Sequence, residues 1–344
     1  MRSGSSLLLA ALVLCLATGC TKVTSQKTEK PAIVITDFRG KSLQLNSPPT
    51  RIVCLIESVL SGLYMLGAEQ RVIGVSSNVY QEPVLPYYAA LDQRIAQRRL
   101  PAPGNWDWVS IENVIALQPD LVIIWAGQTE TITALEERGI PVFGIFLKNF
   151  DDVYREIYLL GELTGEVPRS REIVAYTQHD VDLVRQRIAS IPRNKWPQAY
   201  FMWAQGSLET SGRPSTVDDL FSLAGADNVC GSIRQEHAVV NLEQVLSWNP
   251  ALIVMWDNAT ANPEKIMSDP QWQNIAAVRT QRVYELPDVF LCDLWTLKFS
   301  YAIKLMAKWA HPDLFSDMDP AKEKARMFQF LYQKGLTDGT SSLK

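Results

Sequence analysis

Basic charge is scarce. The 344 residues carry 33 lysines and arginines against 37 aspartates and glutamates, for a formal net charge of −4. An isoelectric point near 5.6 leaves no positive field for nucleic acid. Histidine is scarcer still: His179, His237 and His311 lie at least 58 positions apart and form no ligand cluster on sequence grounds. Beyond residue 20 the only cysteines are Cys54, Cys230 and Cys292, an odd number that argues against a disulfide framework and is too widely spaced for a compact zinc site. After the first twenty residues no apolar run is long enough to cross a bilayer. The catalytic signatures G-x-S-x-G, H-E-x-x-H and a G-x-G-x-x-G after the first strand are missing. Gly40-Lys41-Ser42 is no phosphate loop, because Ile35 stands where that motif needs its first glycine.

What is present begins with MRSGSSLLLAALVLCLATGC. Arg2, an apolar run from Leu7 to Ala17 and small residues before Cys20 read as a signal peptide over residues 1–19. Ala17-Thr18-Gly19-Cys20 resembles a bacterial lipobox, which makes Cys20 the expected lipidation site and residues 20–31 a tether; plain secretion is the alternative. Leu14 makes Cys15 a poor substitute. The mature chain is therefore expected outside the cytoplasm, membrane-anchored through its lipid. Hydrophobic residues at 47% and charged residues at 20% describe a globular body with a large core, and its length suits two lobes.

AIVITDFRGKSLQLN reads as a small hairpin. The body then alternates strands with helices: strand 51–55, helix 58–66, strand 72–76, helix 111–117, strand 121–125, helix 130–138 and strand 142–145. Pro168 opens a segment without internal proline or glycine that stops at Pro192, as a single long helix would. The alternation restarts with strand 199–203, helix 217–223, helix 242–246, strand 252–256, helix 270–274, strand 283–286 and helix 297–309. Two stretches repeat one pattern, SIENVIALQPDLVIIW at 110–125 and NLEQVLSWNPALIVMW at 241–256. Glu112 and Glu243, Pro119 and Pro250, and Trp125 and Trp256 are each separated by 131 positions. The expected architecture is α/β: two Rossmann-like lobes with central parallel sheets (32–166 and 193–315) joined by one long helix (167–192), a ligand cleft between them and a helical tail at 316–344.

These repeats, the long helix, RIVCLIESVLSGLYMLGAEQRVIGVSSN and TSGRPSTVDDLFSLAGADNVCG resemble the substrate-binding proteins of bacterial ABC importers for chelated metals, the family of cobalamin-, ferric siderophore- and haem-binding proteins, over about residues 32–315. The resemblance implies that Glu112 and Glu243 dock to arginines of a permease dimer served by its ATPase. By position it also implies that Trp106, Trp125, Trp203, His237 and the loop Asp288–Phe290 line the cleft, with Trp108 adding a ring beside Trp106. Each glutamate is equally placed to favour a helix N-terminus. Trp125 and Trp256 also suit core packing, and His237 an ordinary hydrogen bond. Arg213, before an expected helix N-terminus, suits an anionic group, with Tyr80, Arg99 and Lys148 as weaker candidates. Ile56-Glu57-Ser58 stands where relatives usually show a proline and a later glutamate.

The expected cargo is a metal chelate (iron-siderophore, corrinoid or haem), with no resident cofactor. The alternatives are a molybdate-type oxyanion carrier on the same fold, a ligand-sensing lipoprotein, and an α/β enzyme. The last is disfavoured because no carboxylate pair stands out except the two symmetric glutamates.

Overall fold

The structure, a computed structural model, describes residues 33–257 and 261–335. The expected signal peptide, Cys20 and the tether lie outside the described residues, as does the end of the tail.

Two four-stranded, all-parallel sheets organise the body. The first runs Val72–Val75, Ile52–Cys54, Leu121–Trp125, Val142–Ile145, and the second Val283–Glu285, Leu252–Met255, Gln198–Met202, Asp227–Asn228. Their strands are nearly all apolar because helices cover both faces. Ile52, Cys54, Leu121 and Ile123 join one core, while Val53, Leu55, Val122 and Ile124 join another on the opposite side of the sheet. The three described cysteines are buried in the core, and burial pushes their thiols up, so they are inert apolar filling.

The hairpin of Ile33–Thr36 and Ser42–Leu45 forms as expected and covers the outer edge of the first sheet. Phe38 donates its backbone N–H to Gly144, and buried Asp37 accepts from the backbone of Arg39, Lys41 and Gly144. An exposed strand edge is thereby closed.

The crossing helix is Val167–Ile188, 22 residues, with proline in its first turn. It stops four residues before Pro192, in a tight turn where Ile191 donates to Ile188. A 15-residue helix at Phe150–Thr164, capped by Asn149 and ended by left-handed Gly165, was not expected and packs along the crossing helix. The expected helix at 270–274 is instead a turn between Pro263–Ser268 and Ala276–Arg279. The last helix of the second lobe runs Phe299–Ala310, and the tail forms Pro320–Tyr332.

The lobes also meet directly. Tyr87 stacks on Phe290 with ring centroids 4.4 Å apart, and Phe150 on Phe299 at 3.8 Å. Lys298, fully buried, reaches Ser61 across the junction at 3.1 Å. Phe328 and Tyr332 of the tail helix close this junction against Phe290. The tail is held by Lys304, which bridges Asp180 of the crossing helix and Glu323. No described helix is long and apolar enough to cross a membrane.

Candidate functional site

The repeated pattern is repeated in backbone geometry. Helices Ile111–Ala116 and Leu242–Trp248 start at Ser110 and Asn241, whose side chains accept the N–H of Asn113 and Gln244. Both end at a left-handed residue, Gln118 at φ 48° and Asn249 at φ 46°. Pro119 and Pro250 then prevent continuation, and the chain enters the strands at Leu121 and Leu252. Glu112 and Glu243 therefore occupy the same place in the first turn of each helix, both exposed.

Both helix N-termini sit at the carboxyl ends of their sheets. Ser110 donates to Pro103, and the adjacent Gly104 bridges to Ser76, just beyond Val75. In the second lobe Val240 donates to Leu208, whose neighbour Glu209 accepts from Trp203, just beyond Met202. Strand carboxyl ends are where open α/β sheets bind ligands.

At the first sheet a tight turn presents Trp106 and Trp108. Asn105 donates to the Trp108 carbonyl at 2.8 Å, while its side-chain oxygen accepts from Asp107 and Trp108. The Gln128 amide donates to the carbonyls of Asn105 and Trp106, at 3.1 and 2.6 Å. A side chain at Gly104 would stand 2.4 Å from the Trp108 carbonyl, so this turn requires glycine. Trp106 is 56% exposed. Trp125 packs on Phe146 at 5.1 Å, and Lys148 lies over that phenyl ring.

The second sheet ends in a cluster of rings. Trp203 touches His237 at 4.8 Å, Trp256 at 5.6 Å and Trp295 at 5.9 Å, the last nearly parallel. Burial pushes the His237 imidazole below its ordinary range, which keeps it neutral near pH 7. Burial also pushes Glu236 up to about 7 and raises Asp257, the latter helped by Asp288. The rim of the second sheet is thus aromatic and acidic. Among the described residues no group of three His, Cys, Asp or Glu is placed to hold a metal ion.

The remaining expected contacts fall elsewhere. Phe290 is 1% exposed, held between Tyr87 and the Lys298 ammonium, 3.5 Å from its ring centre; packing between the lobes replaces its expected role as a ligand contact. Arg213 gives its Nε–H to Asp218 at 2.9 Å, beside a helix already capped by Ser215, so its charge is answered within the protein. Tyr80 donates its hydroxyl to Leu100 under the Arg98 guanidinium. His311 contacts the Gly225 carbonyl at 2.8 Å. Trp203 is only 3% exposed, so Trp256 and Trp295 form the accessible side of that cluster. Trp295, in DLWTLK, had no spacing signal. Cavities of about 460 Å³, lined by Tyr64, Arg169 and Tyr332 among others, and about 210 Å³, under the tail helix, lie away from these rings.

Upstream of the repeat, Trp106 and His237 each stand six residues before the glutamate of their helix, and Trp108 and Val239 four.

Comparison with known proteins gives one consistent picture. The family described as periplasmic binding protein matches residues 52–289. The molybdate-binding protein MolA of Haemophilus influenzae is 26% identical over 325 residues, covering 87% of this chain and 91% of that protein. The uncharacterized ABC transporter substrate-binding lipoprotein YvrC of Bacillus subtilis is 24% identical, covering 91% of this chain and 98% of that one. Among solved structures, MolA bound to molybdate superposes with a TM-score of 0.76 at 24% identity, over 88% of this chain and 99% of that one. Helicobacter pylori CeuE with Ni(II) bound gives 0.75 at 19% identity, over 91% and 100%.

Proposed function

The chain belongs to the periplasmic binding protein family, and we propose on that premise that it is the extracytoplasmic capture subunit of an ABC importer, holding a metal chelate between its two sheets and delivering it to a permease dimer. The observation that carries this reading is the repeated frame. It puts one exposed carboxylate, Glu112 or Glu243, in the first turn of the matching helix on each lobe, and Trp106 and His237, each six residues before its glutamate, are the side chains assigned to cargo. Two matched carboxylates suit the two equivalent chains of a permease, each meeting an arginine.

Aromatic walls favour a flat or greasy chelate, because rings bury area at little side-chain entropy cost. The rings of Trp106, Trp125, Phe146, Trp256 and Trp295 would supply contact, with neutral His237 beside them and Lys148 answering negative charge on the chelate. Binding is the proposed activity, as in the relatives, with no chemical step. The same reading makes Cys20 the lipidated residue that tethers the mature chain to a membrane. Metabolic labelling with a palmitate analogue, lost in Cys20→Ala, tests that separately.

A second reading, capture of an oxyanion, is favoured by the similarity to MolA over most of both chains. Against it, Arg213 is paired with Asp218 and the rim carries the carboxyl of Asp257. The test for both is a tryptophan-fluorescence titration of the chain from Thr21 onward with a corrinoid, haem, ferric siderophores and molybdate. Saturable binding of one chelate below micromolar, about −8 kcal/mol or better, supports the first reading. Binding of molybdate alone supports the second, and no binding of any would remove both cargo classes.

A further inference from the structure

Beside each proposed docking glutamate the protein exposes a large apolar side chain that its fold does not require. Trp108 is 52% exposed and Val239 78% exposed, and each stands four residues before its glutamate, Glu112 or Glu243. Leu246, three residues after Glu243, is 36% exposed, and its counterpart Ile115 is partly covered. Each side chain is held on rigid backbone. Trp108 closes the hydrogen-bonded turn from Asn105, and Val239 lies on a two-residue antiparallel ladder opposite Glu209. The exposed tryptophan and valine serve neither core, since the neighbouring Val114 and Val245 already seal the helices inward.

We propose that Trp108 and Val239 are apolar anchors of the permease-docking surface, each seating in a nonpolar pit beside the arginine that receives Glu112 or Glu243. This rests on the docking role proposed for those glutamates. The occupant is the permease dimer: two matched patches of one carboxylate and one apolar side chain fit a partner that presents the same socket twice, and each patch is continuous with the proposed ionic contact. The division of labour follows from physics. Exposed carboxylates steer the encounter and fix orientation, whereas a rigid aromatic side chain buried at the contact slows dissociation. Trp108, expected from the sequence to add a ring beside Trp106, is on this proposal assigned to the permease and Trp106 to cargo.

The test places a photo-crosslinking phenylalanine analogue at 108, 239, 113 or 247 in the full chain, expressed in its own host, with adducts identified by mass spectrometry. Positions 113 and 247 are exposed on the same two helices and report docking of this face without the anchors. The expected result is adducts with one multi-span permease from both 108 and 239. Permease adducts from 113 and 247 but not from 108 and 239 would overturn the anchors and leave the docking glutamates standing. No permease adduct from any of the four would remove both. In parallel, Trp108→Ser should weaken binding to the importer in nanodiscs by about tenfold or more, Trp108→Phe should restore most of it, and cargo affinity should be unchanged in both. Weaker cargo binding in Trp108→Ser would assign the ring to the cleft instead.

Discussion

Replacing Lys298 by methionine removes an ammonium buried where the lobes meet. Lys298 is fully buried, 3.1 Å from the Ser61 hydroxyl and 3.5 Å from the centre of the Phe290 ring. Its charge answers Asp293, 5% exposed, one of whose oxygens has no hydrogen-bond partner. Burial pushes Asp293 up, and Lys298 opposes that rise; burial pushes Lys298 down, and Asp293 opposes that fall. Removing the ammonium leaves the buried carboxyl without the opposing charge and costs about 1–3 kcal/mol, to which loss of the cation–π contact adds up to about 2. The loss depends on pH in a definite direction. Without Lys298 the Asp293 carboxyl rises further above its unfolded value, so the folded state holds its proton more tightly. Stability that is present at low pH is lost as pH rises through the folded value, by about 1.4 kcal/mol for every tenfold gain in the carboxyl's proton affinity. Urea unfolding should therefore show Lys298→Met losing more at pH 8.5 than at pH 5.5, and a second substitution, Asp293→Asn, recovering most of the difference at pH 8.5. A loss below about 1 kcal/mol, or one equal at both pH values, would refute the account of this junction as an ammonium balancing nearby carboxyl charge among apolar rings.

Other consequences are simpler to check. Alanine at both Glu112 and Glu243 should abolish uptake by cells while cargo affinity in the fluorescence titration stays unchanged; weaker cargo binding would place the glutamates in the cleft. Burial pushes Asp219 up to about 6 although it accepts the Phe150 N–H at 2.8 Å. A carboxyl raised in the folded state makes stability fall as pH climbs from about 4 to 6. Asp219→Asn, which keeps an acceptor, should thus raise stability by about 1–2 kcal/mol at pH 7.5 and leave pH 4 unchanged, read as melting temperature at the two pH values. Gln118 holds a left-handed backbone without being glycine, so Gln118→Gly should stabilise by roughly 0.5 kcal/mol, the strain relieved less the added freedom of the unfolded chain.

The alternation of buried strands and helices was legible because parallel strands covered on both faces must be apolar along their whole length, as in VCL of 53–55 and LVIIW of 121–125. The helix Phe150–Thr164 was missed although the sequence carries its signals. Asn149 caps it, Asp151 and Asp152 fill its first turn, and Gly165 ends it. The site was legible only where local sequence decides exposure. Trp106 stands on a turn closed by its own neighbours, so its position could be read. Phe290 and Arg213 could not be read that way, because their fates are set by Tyr87, 203 residues earlier, and by the Asp218 carboxylate, which takes the charge that a ligand would have used.

The repeat separates two kinds of constraint that one lobe alone would confound. Positions where both copies are buried and alike, such as Val114 with Val245 and Leu121 with Leu252, answer to the common fold and carry no information about a partner. Position 112 with 243 is exposed in both copies and keeps its carboxylate, as a partner with two equivalent faces would require. Trp106 and His237, each six residues before its glutamate and each proposed to meet cargo, differ in chemistry, an indole against an imidazole. A permease dimer would have no reason to demand that difference, but an asymmetric cargo gripped between the lobes would, since one side can be stacked on an indole while the other meets a neutral nitrogen. Exchanging the pair, Trp106→His with His237→Trp, therefore distinguishes the two constraints. Docking should survive the exchange, because the glutamates and their frame are untouched. Cargo affinity should fall, because Trp203 packs at 4.8 Å against an imidazole and an indole there would crowd the ring cluster. Unchanged cargo affinity in the exchanged protein would mean that these two positions do not grip the cargo.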